Sequence, residues 1–297
     1  MIIRSLDDVT SDALAAMQGS QDPRLREIMV SLVKHLHAFV RETRLTEPEF
    51  RQAATLVNAI GQLSSDTHNE AVLMAGSLGV SSLVCLLNNG DGGNTETSQS
   101  LLGPFWRLHS PRVENGGTIV RSDTPGDPLF VEGHVVDRAG APIAGAEVDV
   151  WHASPTGLYE NQDPEQAEMN LRGKFTTDSQ GRFRFSTVKM VGYPIPTGGI
   201  VGRLLKAQNR QPKRPAHLHA LIVKPGFKVL ISQVYDPADP NLLVDPQFGV
   251  TQALLGEYIR HDEPHTRDAA ISAPWYSLDY TYVMEPGEAI LPRPPIK

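Results

Sequence analysis

The stretch RPAHLHALIVKPG, residues 214–226, sets two histidines two positions apart at the head of an apolar run. Side chains two apart on a β-strand share a face, so an extended HLHALIV aims His217 and His219 the same way. The same spacing at His35 and His37 falls in a helical pattern, where two steps rotate the side chains by about 200°, so that pair reads as surface or interface residues. Other short extended runs surround the histidine strand: GHVVD, AEVDVW, GKFTT, RFRFS and LISQVY, with turns such as Asp178-Ser179-Gln180-Gly181 between them. Their spacing predicts an antiparallel β-sandwich, interrupted by the long polar excursion of residues 160–173.

The N-terminal third has a different character. Of the 23 prolines only Pro23 and Pro48 fall within the first 100 residues. Asp22 as N-cap and Pro23 at the first helical position open an amphipathic helix whose apolar residues recur at Leu25, Ile28, Met29, Leu32, Val33, Leu36, Phe39 and Val40. Thr46 and Glu49 form a capping box for a second helix through Phe50, Ala54, Val57 and Ile60. A third is expected over roughly residues 70–87, followed by a glycine-rich linker, NNGDGGNTETSQS, at 88–100. The fold class is therefore α+β, with a helical region at 1–100 and a β-sandwich at 101–297.

With 27 Lys plus Arg against 34 Asp plus Glu, the chain carries a net charge of -7. That balance gives no electrostatic reason to expect nucleic acid or an anionic membrane, and a small molecule is the expected partner. The one cysteine, Cys85, lies among leucines and valine and reads as a core thiol in a reducing compartment. The first residues carry no basic cluster followed by an apolar segment, so a cytoplasmic location is expected. The most apolar window, 71–87, is broken by Gly76, Ser77, Gly79, Ser81 and Ser82, which suits a helix buried in protein better than a bilayer span.

A strand HxH pair either chelates a metal or is a partly exposed pair without a ligand, and the spacing alone does not decide. An iron facial triad adds a carboxylate, yet the residues after His219 are Ala-Leu-Ile-Val-Lys. Zinc would want cysteine, further histidine or a carboxylate. The remaining anionic candidates are Tyr159, in WHASPTGLYENQ, and Tyr193, in VGYPIPTGG, where Pro194 and Pro196 stiffen the loop. Each tyrosine taken alone reads first as a packed ring with its hydroxyl hydrogen-bonded.

VDVWHASPTGLYENQ, GYPIPTGG, RPAHLHALI and LLGPFW together resemble the intradiol ring-cleavage dioxygenases over nearly the whole chain. SPTGLYENQDPEQAEMNLRGKF and TIVRSDTPGDPLF are similar to the hydroxyquinol-cleaving branch of that family. The resemblance implies a non-heme Fe(III), one per subunit, held by Tyr159, Tyr193, His217 and His219 with a solvent hydroxide. Anionic oxygen donors suit this hard ion, and two phenolates with hydroxide cancel its charge. A diol that binds through both oxygens as a dianion keeps that neutrality only if two anions leave, each taking a proton. By the resemblance these are hydroxide and Tyr193, the departing ligand, while Tyr159 stays.

Arg214 is implied as a permanent positive charge beside the ring; its plainer reading is a salt bridge at a strand edge. Gln233 in ISQVY is implied as a support of the ligand shell. Leu73, Gly76, Leu102, Gly103, Pro104, Phe105, Ile195 and Pro196 are implied around the ring. Where the branch carries an acidic residue three positions after the leucine, this chain has Gly76, so room for a bulkier, chlorinated ring is expected. Also implied are a homodimer joined through the N-terminal helices and a phospholipid at that interface. The expected reaction is cleavage of hydroxyquinol, with catechol and chlorinated analogues as alternatives. Two rivals remain: GHVVDRAGAPIAGAEVDV also resembles transthyretin-like binding modules, and a cupin-type Fe(II) enzyme is disfavoured by the missing carboxylate.

Overall fold

The computed structural model describes residues 2–65, 68–90, 96–265 and 271–296. The chain divides into two compact units, Met1–Ala59 and Ile60–Lys297. The composition boundary near residue 100 therefore falls inside the second unit. The middle of the expected linker, 91–95, lies outside the described residues.

In the first unit, α1 (Leu6–Ala16) pairs with α2 (Pro23–Thr43), and α3 (Glu47–Leu63) begins. Asp22 caps α2 as expected, its carboxylate accepting from the backbone N–H groups of Arg24 and Leu25. Glu49 accepts from the Thr46 backbone N–H and hydroxyl. Arg41 fastens α2 to α1 through Asp7 at 2.7 Å. None of the three helices buries a residue fully, and Leu25, Ile28, Leu32, Leu36 and Phe39 of α2 remain exposed.

The expected helix over 70–87 is two helices, α4 (Glu70–Ser77) and α5 (Val80–Asn89), bent by 77°. Gly79 makes the break: its φ of +76° is left-handed, a conformation in which glycine alone is unstrained. No single described helix is long and apolar enough to cross a membrane.

The sandwich follows as β1 (Pro128–Asp137), β2 (Glu147–Trp151), β3 (Arg172–Thr176) and β4 (Arg182–Val188), then β5 (Tyr193–Pro194), α6 (Ile200–Ala207), β6 (Lys213–Arg214), β7 (His217–Val223) and β8 (Leu230–Tyr235), and finally β9 (Glu257–His261) and β10 (Trp275–Met284). Two four-stranded sheets form in the orders β4-β1-β10-β9 and β3-β2-β7-β8, with β5 and β6 as a separate pair. Between these strands every pairing is antiparallel save β1 with β10, which run parallel. The last strand returns to the middle of the first sheet in the direction of β1, a long-range pairing that local periodicity does not encode.

Strand β7 is buried on both faces, and alternation assigns them. Leu218, Ala220 and Ile222 join Val148, Val150, Phe185, Leu278 and Tyr282 in the core between the sheets. His217, His219 and Leu221 face the other way, where Leu221 packs with Phe105, Trp106, Trp151, Tyr159, Tyr193 and Ile296. A one-residue slip would drive both imidazoles into the sandwich core, so the register is strongly specified. The polar excursion is anchored by a buried ion pair, Arg172 Nε to Glu160 Oε2 at 2.7 Å.

Candidate metal centre

Hairpin register brings the outward face of β7 together. His219 lies opposite Trp151 on one side and Gln233 on the other, and His217 lies opposite Tyr235. Trp151 stacks on the His219 ring at 4.6 Å, 8° from parallel. His217 Nδ1 lies 2.7 Å from the Pro215 carbonyl. A carbonyl only accepts, so Nδ1 carries the proton and Nε2 keeps its lone pair.

Tyr159 closes the loop after β2. Gly157, at φ +84°, turns that loop beside Tyr193; a Cβ built on it would lie 3.4 Å from the Tyr193 Cβ. Phe105 stacks on the Tyr159 ring at 4.4 Å, and the neighbouring Glu160 is tied to Arg172 and Arg107. Tyr193 is set by the β5–β6 pair, directly opposite Arg214.

These placements close a ring of four donor atoms. Tyr159 Oη is 3.0 Å from Tyr193 Oη, which is 3.3 Å from His217 Nε2. His217 Nε2 is 3.2 Å from His219 Nε2, which is 3.1 Å from Tyr159 Oη. All four residues are buried.

The donor set fits a single cation. Bonds of about 2.0–2.1 Å to nitrogen or oxygen span about 2.9 Å between ligands at a right angle and about 3.4 Å at a tetrahedral one, a range that brackets the four edges. Burial, then the Arg214 charge, lowers the His217 pKa to about 3, and burial followed by His217 holds His219 well below its ordinary value. Both imidazoles are thus neutral donors at neutral pH. Burial raises both phenols, Tyr159 the more strongly because Tyr193 adds to it. A phenolate here needs a compensating positive charge, which a trivalent ion supplies. Among the described residues no group of three His, Cys, Asp or Glu gathers anywhere to hold a metal, so the phenols are essential to this donor set.

Arg214 is fixed from three directions. Its Nε and Nη2 donate to the two oxygens of Asp245 at 3.1 Å each, and Nη2 also donates to Gln233 and Tyr235. Nη1 lies 3.4 Å from His217 Nε2. Asp245 is buried, which alone would raise its pKa, yet the Arg214 charge and hydrogen bonds hold it below its ordinary value. The plain salt bridge and the cation beside the site are one arrangement: the carboxylate aims the guanidinium.

Beside this group opens a cavity of about 350 Å³. Leu73, Leu102, Gly103, Pro104, Phe105, Ile195 and Pro196 line it with Tyr193 and Arg214. Gln233, expected to support the ligand shell, and Gly76, expected as a ring contact, both stand behind its wall. Gln233 is fully buried, its oxygen accepting from Arg214 and Tyr235 and its nitrogen donating to the Leu101 carbonyl. Gly76 does not open free space, because the Gln247 carboxamide oxygen sits 1.8 Å from where a Cβ would be. Gln247 donates to the Ser77 hydroxyl at 2.8 Å and itself lines the cavity.

Gln247, Asp245 and Tyr235 were not evident in the sequence as members of this group. Tyr235 carried a signal: it lies two positions after Gln233 on a strand neighbouring HLHALIV. Asp245 and Gln247 come from an irregular loop about thirty residues beyond Arg214, where no periodicity points to them.

Residues 102–284 match the family profile described as "Dioxygenase", and residues 22–95 the one described as "Catechol dioxygenase N terminus". A hydroxyquinol 1,2-dioxygenase of Rhizobium sp. (strain MTP-10005) is 37% identical over 274 residues, 91% of this chain and 92% of that protein. A catechol 1,2-dioxygenase of Candida albicans (strain SC5314) is 36% identical across 91% of this chain and 89% of its own length. The crystal structure of the hydroxyquinol 1,2-dioxygenase from Pseudomonas putida DLL-E4 superposes with a TM-score of 0.87 at 36% identity, covering 95% of this chain and 99% of that one. A two-histidine, two-tyrosine donor ring on the outer face of a sandwich of this topology, matched along nearly its full length, places the chain in the non-heme Fe(III)-dependent intradiol ring-cleavage dioxygenase family.

Proposed function

We propose that the protein cleaves hydroxyquinol, benzene-1,2,4-triol, between its adjacent hydroxyls with dioxygen, giving 3-hydroxy-cis,cis-muconate, the enol of maleylacetate. The observation that carries this reading is the closed four-donor ring set beside the clamped Arg214 guanidinium at the wall of an aromatic-sized cavity.

Tyr159, Tyr193, His217 and His219 would hold one ferric ion per subunit, which when bound supplies the electron-accepting centre that makes the diol ring reactive toward dioxygen. The chain supplies the rest. Tyr193 Oη, at the cavity wall, takes a proton from the entering diol, while Tyr159, sunk behind Phe105, holds its position. The two imidazoles contribute lone pairs and no titratable proton near neutrality. Arg214, locked by Asp245, Gln233 and Tyr235, stabilises negative charge developing on the ring without having to reorganise. Gln233 acts through Arg214. Leu73, Phe105, Ile195 and Pro196 hold the ring flat and exclude water.

The Gln247 carboxamide favours the triol over catechol. A third hydroxyl buried without a partner costs about 1–3 kcal/mol, and this amide is a polar group in a mostly apolar wall. Because the same side chain fills the space at Gly76, this glycine leaves no extra room for a chlorinated ring.

The working form is read as a cytoplasmic homodimer that pairs within residues 1–100, through the exposed apolar face of α2, with a phospholipid covering part of that face; residues 101–297 form the catalytic region. Lipid extraction with mass spectrometry and sedimentation of Leu32→Glu test these two points. For the activity itself, specificity constants for hydroxyquinol, catechol and chlorinated analogues are the direct test. A preference for catechol over the triol overturns the substrate assignment, and absence of oxygen uptake with every diol overturns the activity.

A further inference from the structure

The charges around the cavity leave one cation over. Arg214 is matched by Asp245, and the His68 ring lies 2.6 Å from the buried Glu70. Arg293, from the C-terminal tail, also lines the cavity. Among the described residues it is the one cationic side chain of this wall without an acidic partner, and no Asp or Glu lines the wall at all. In a chain of net charge -7 this is a local reversal of sign.

The tail that carries Arg293 is held in place. Residues 285–296 contain no helix or strand. Yet Ile296, three positions beyond Arg293, is 4% exposed and packs in the same cluster as Phe105, Tyr159 and Tyr193. Pro295 lines the cavity between them. Two prolines and a buried anchor limit where the tail, and with it the guanidinium, can go.

We propose that Arg293 forms a carboxylate subsite at the cavity wall. The inference rests on the ring-cleavage reading of the site. Cleavage breaks the carbon–carbon bond between the two hydroxylated carbons and adds both atoms of dioxygen, so each carbon becomes a carboxyl group. At neutral pH both protons go to solvent and the product is a dianion, whereas the diol enters uncharged. A guanidinium pairs with carboxylate through two parallel N–H bonds and stays charged at every working pH. The same group would equally receive a carboxylate substituent on the incoming diol, and the test separates the two sources.

Dissociation constants are measured by calorimetry on iron-loaded protein without oxygen, for cis,cis-muconate, for 3,4-dihydroxybenzoate and for uncharged catechol. The readout is each carboxylate ligand's constant divided by that for catechol. In Arg293→Gln the ratio should rise about three- to five-fold, the size expected of an exposed ion pair, and Arg293→Lys should keep most of the wild-type ratio. Raising sodium chloride from about 0.05 M to about 0.5 M should shrink the difference. A rise for muconate alone assigns the subsite to product; a rise for 3,4-dihydroxybenzoate alone assigns it to substrate. Ratios within two-fold of wild type for both ligands at low salt, including the case where catechol weakens in step, overturn the proposal. If wild-type protein cleaves no diol, the ring-cleavage reading falls and takes the subsite with it.

Discussion

Tyr159 and Tyr193 meet with their phenol oxygens 3.0 Å apart and their rings perpendicular, although 34 positions separate them in the chain. Tyr159 is backed by Phe105, whereas Tyr193 lines the cavity. The two phenols are therefore unequal before any ligand arrives: one is a fixed donor and the other is within reach of what enters.

That inequality predicts different losses. Tyr159→Phe should abolish the visible tyrosinate-to-iron colour and most bound iron. Tyr193→Phe should keep part of the iron while losing turnover by at least about 100-fold, the size of a proton-transfer contribution. Metal analysis beside the visible spectrum decides; equal iron loss in both variants contradicts the division of roles.

Arg214→Gln should retain iron and colour but lower kcat by about 100- to 1000-fold, as expected when one preorganised charge is removed. Stability should also fall by about 3–5 kcal/mol, because Asp245 is left as a buried, unmatched carboxylate. Adding Asp245→Asn should restore much of the stability and none of the rate. Urea titration and steady-state kinetics on the same preparations separate the two effects.

Gln247→Leu should reduce kcat/KM for hydroxyquinol relative to catechol by about five- to twenty-fold, the loss of one hydrogen bond to a buried hydroxyl. Gly76→Ala should act in the same direction, since the new methyl collides with the flexible end of Gln247 and pushes it aside. An unchanged ratio in Gln247→Leu removes this residue from the account of specificity.

Iron-free protein should lose stability on mild acidification, with His152 as a measurable contributor. Burial lowers its pKa from the ordinary 6.5 to about 4, and its ring nitrogens face the Ala153 carbonyl and the Thr187 hydroxyl. Between those values the unfolded chain takes up a proton that the folded chain refuses. The contribution is complete above pH about 6.5 and is lost as pH falls toward 4, by up to about 1.4 kcal/mol per unit. Asp149 opposes it: burial raises that carboxyl from 3.8 to about 6, so folding binds its proton and stability declines as pH rises through that interval. Urea midpoints from pH 4.5 to 7 should flatten in His152→Gln and steepen in Asp149→Asn.

Local rules were enough for the elements that carry the histidines. Alternation in HLHALIV placed His217 and His219 on one face, and the short strands around it are β1, β2, β3, β4 and β8. Asp22 and Thr46 marked the starts of α2 and α3 because a cap is satisfied within three residues. The roles of the four donor residues and of Arg214 rest on motif resemblance, and the closing of the four donors into one ring beside Arg214 follows from the fold.

Tertiary structure alone decided the rest. The parallel return of β10 beside β1, the clamp of Arg214 by Asp245 and the filling of Gly76 by Gln247 all depend on partners far along the chain. A sequence reports what each residue prefers over a few neighbours. It does not report which distant side chain will occupy the volume a glycine leaves, or which carboxylate will match a buried charge, because those are settled when the sheets close and every buried polar group must find a partner.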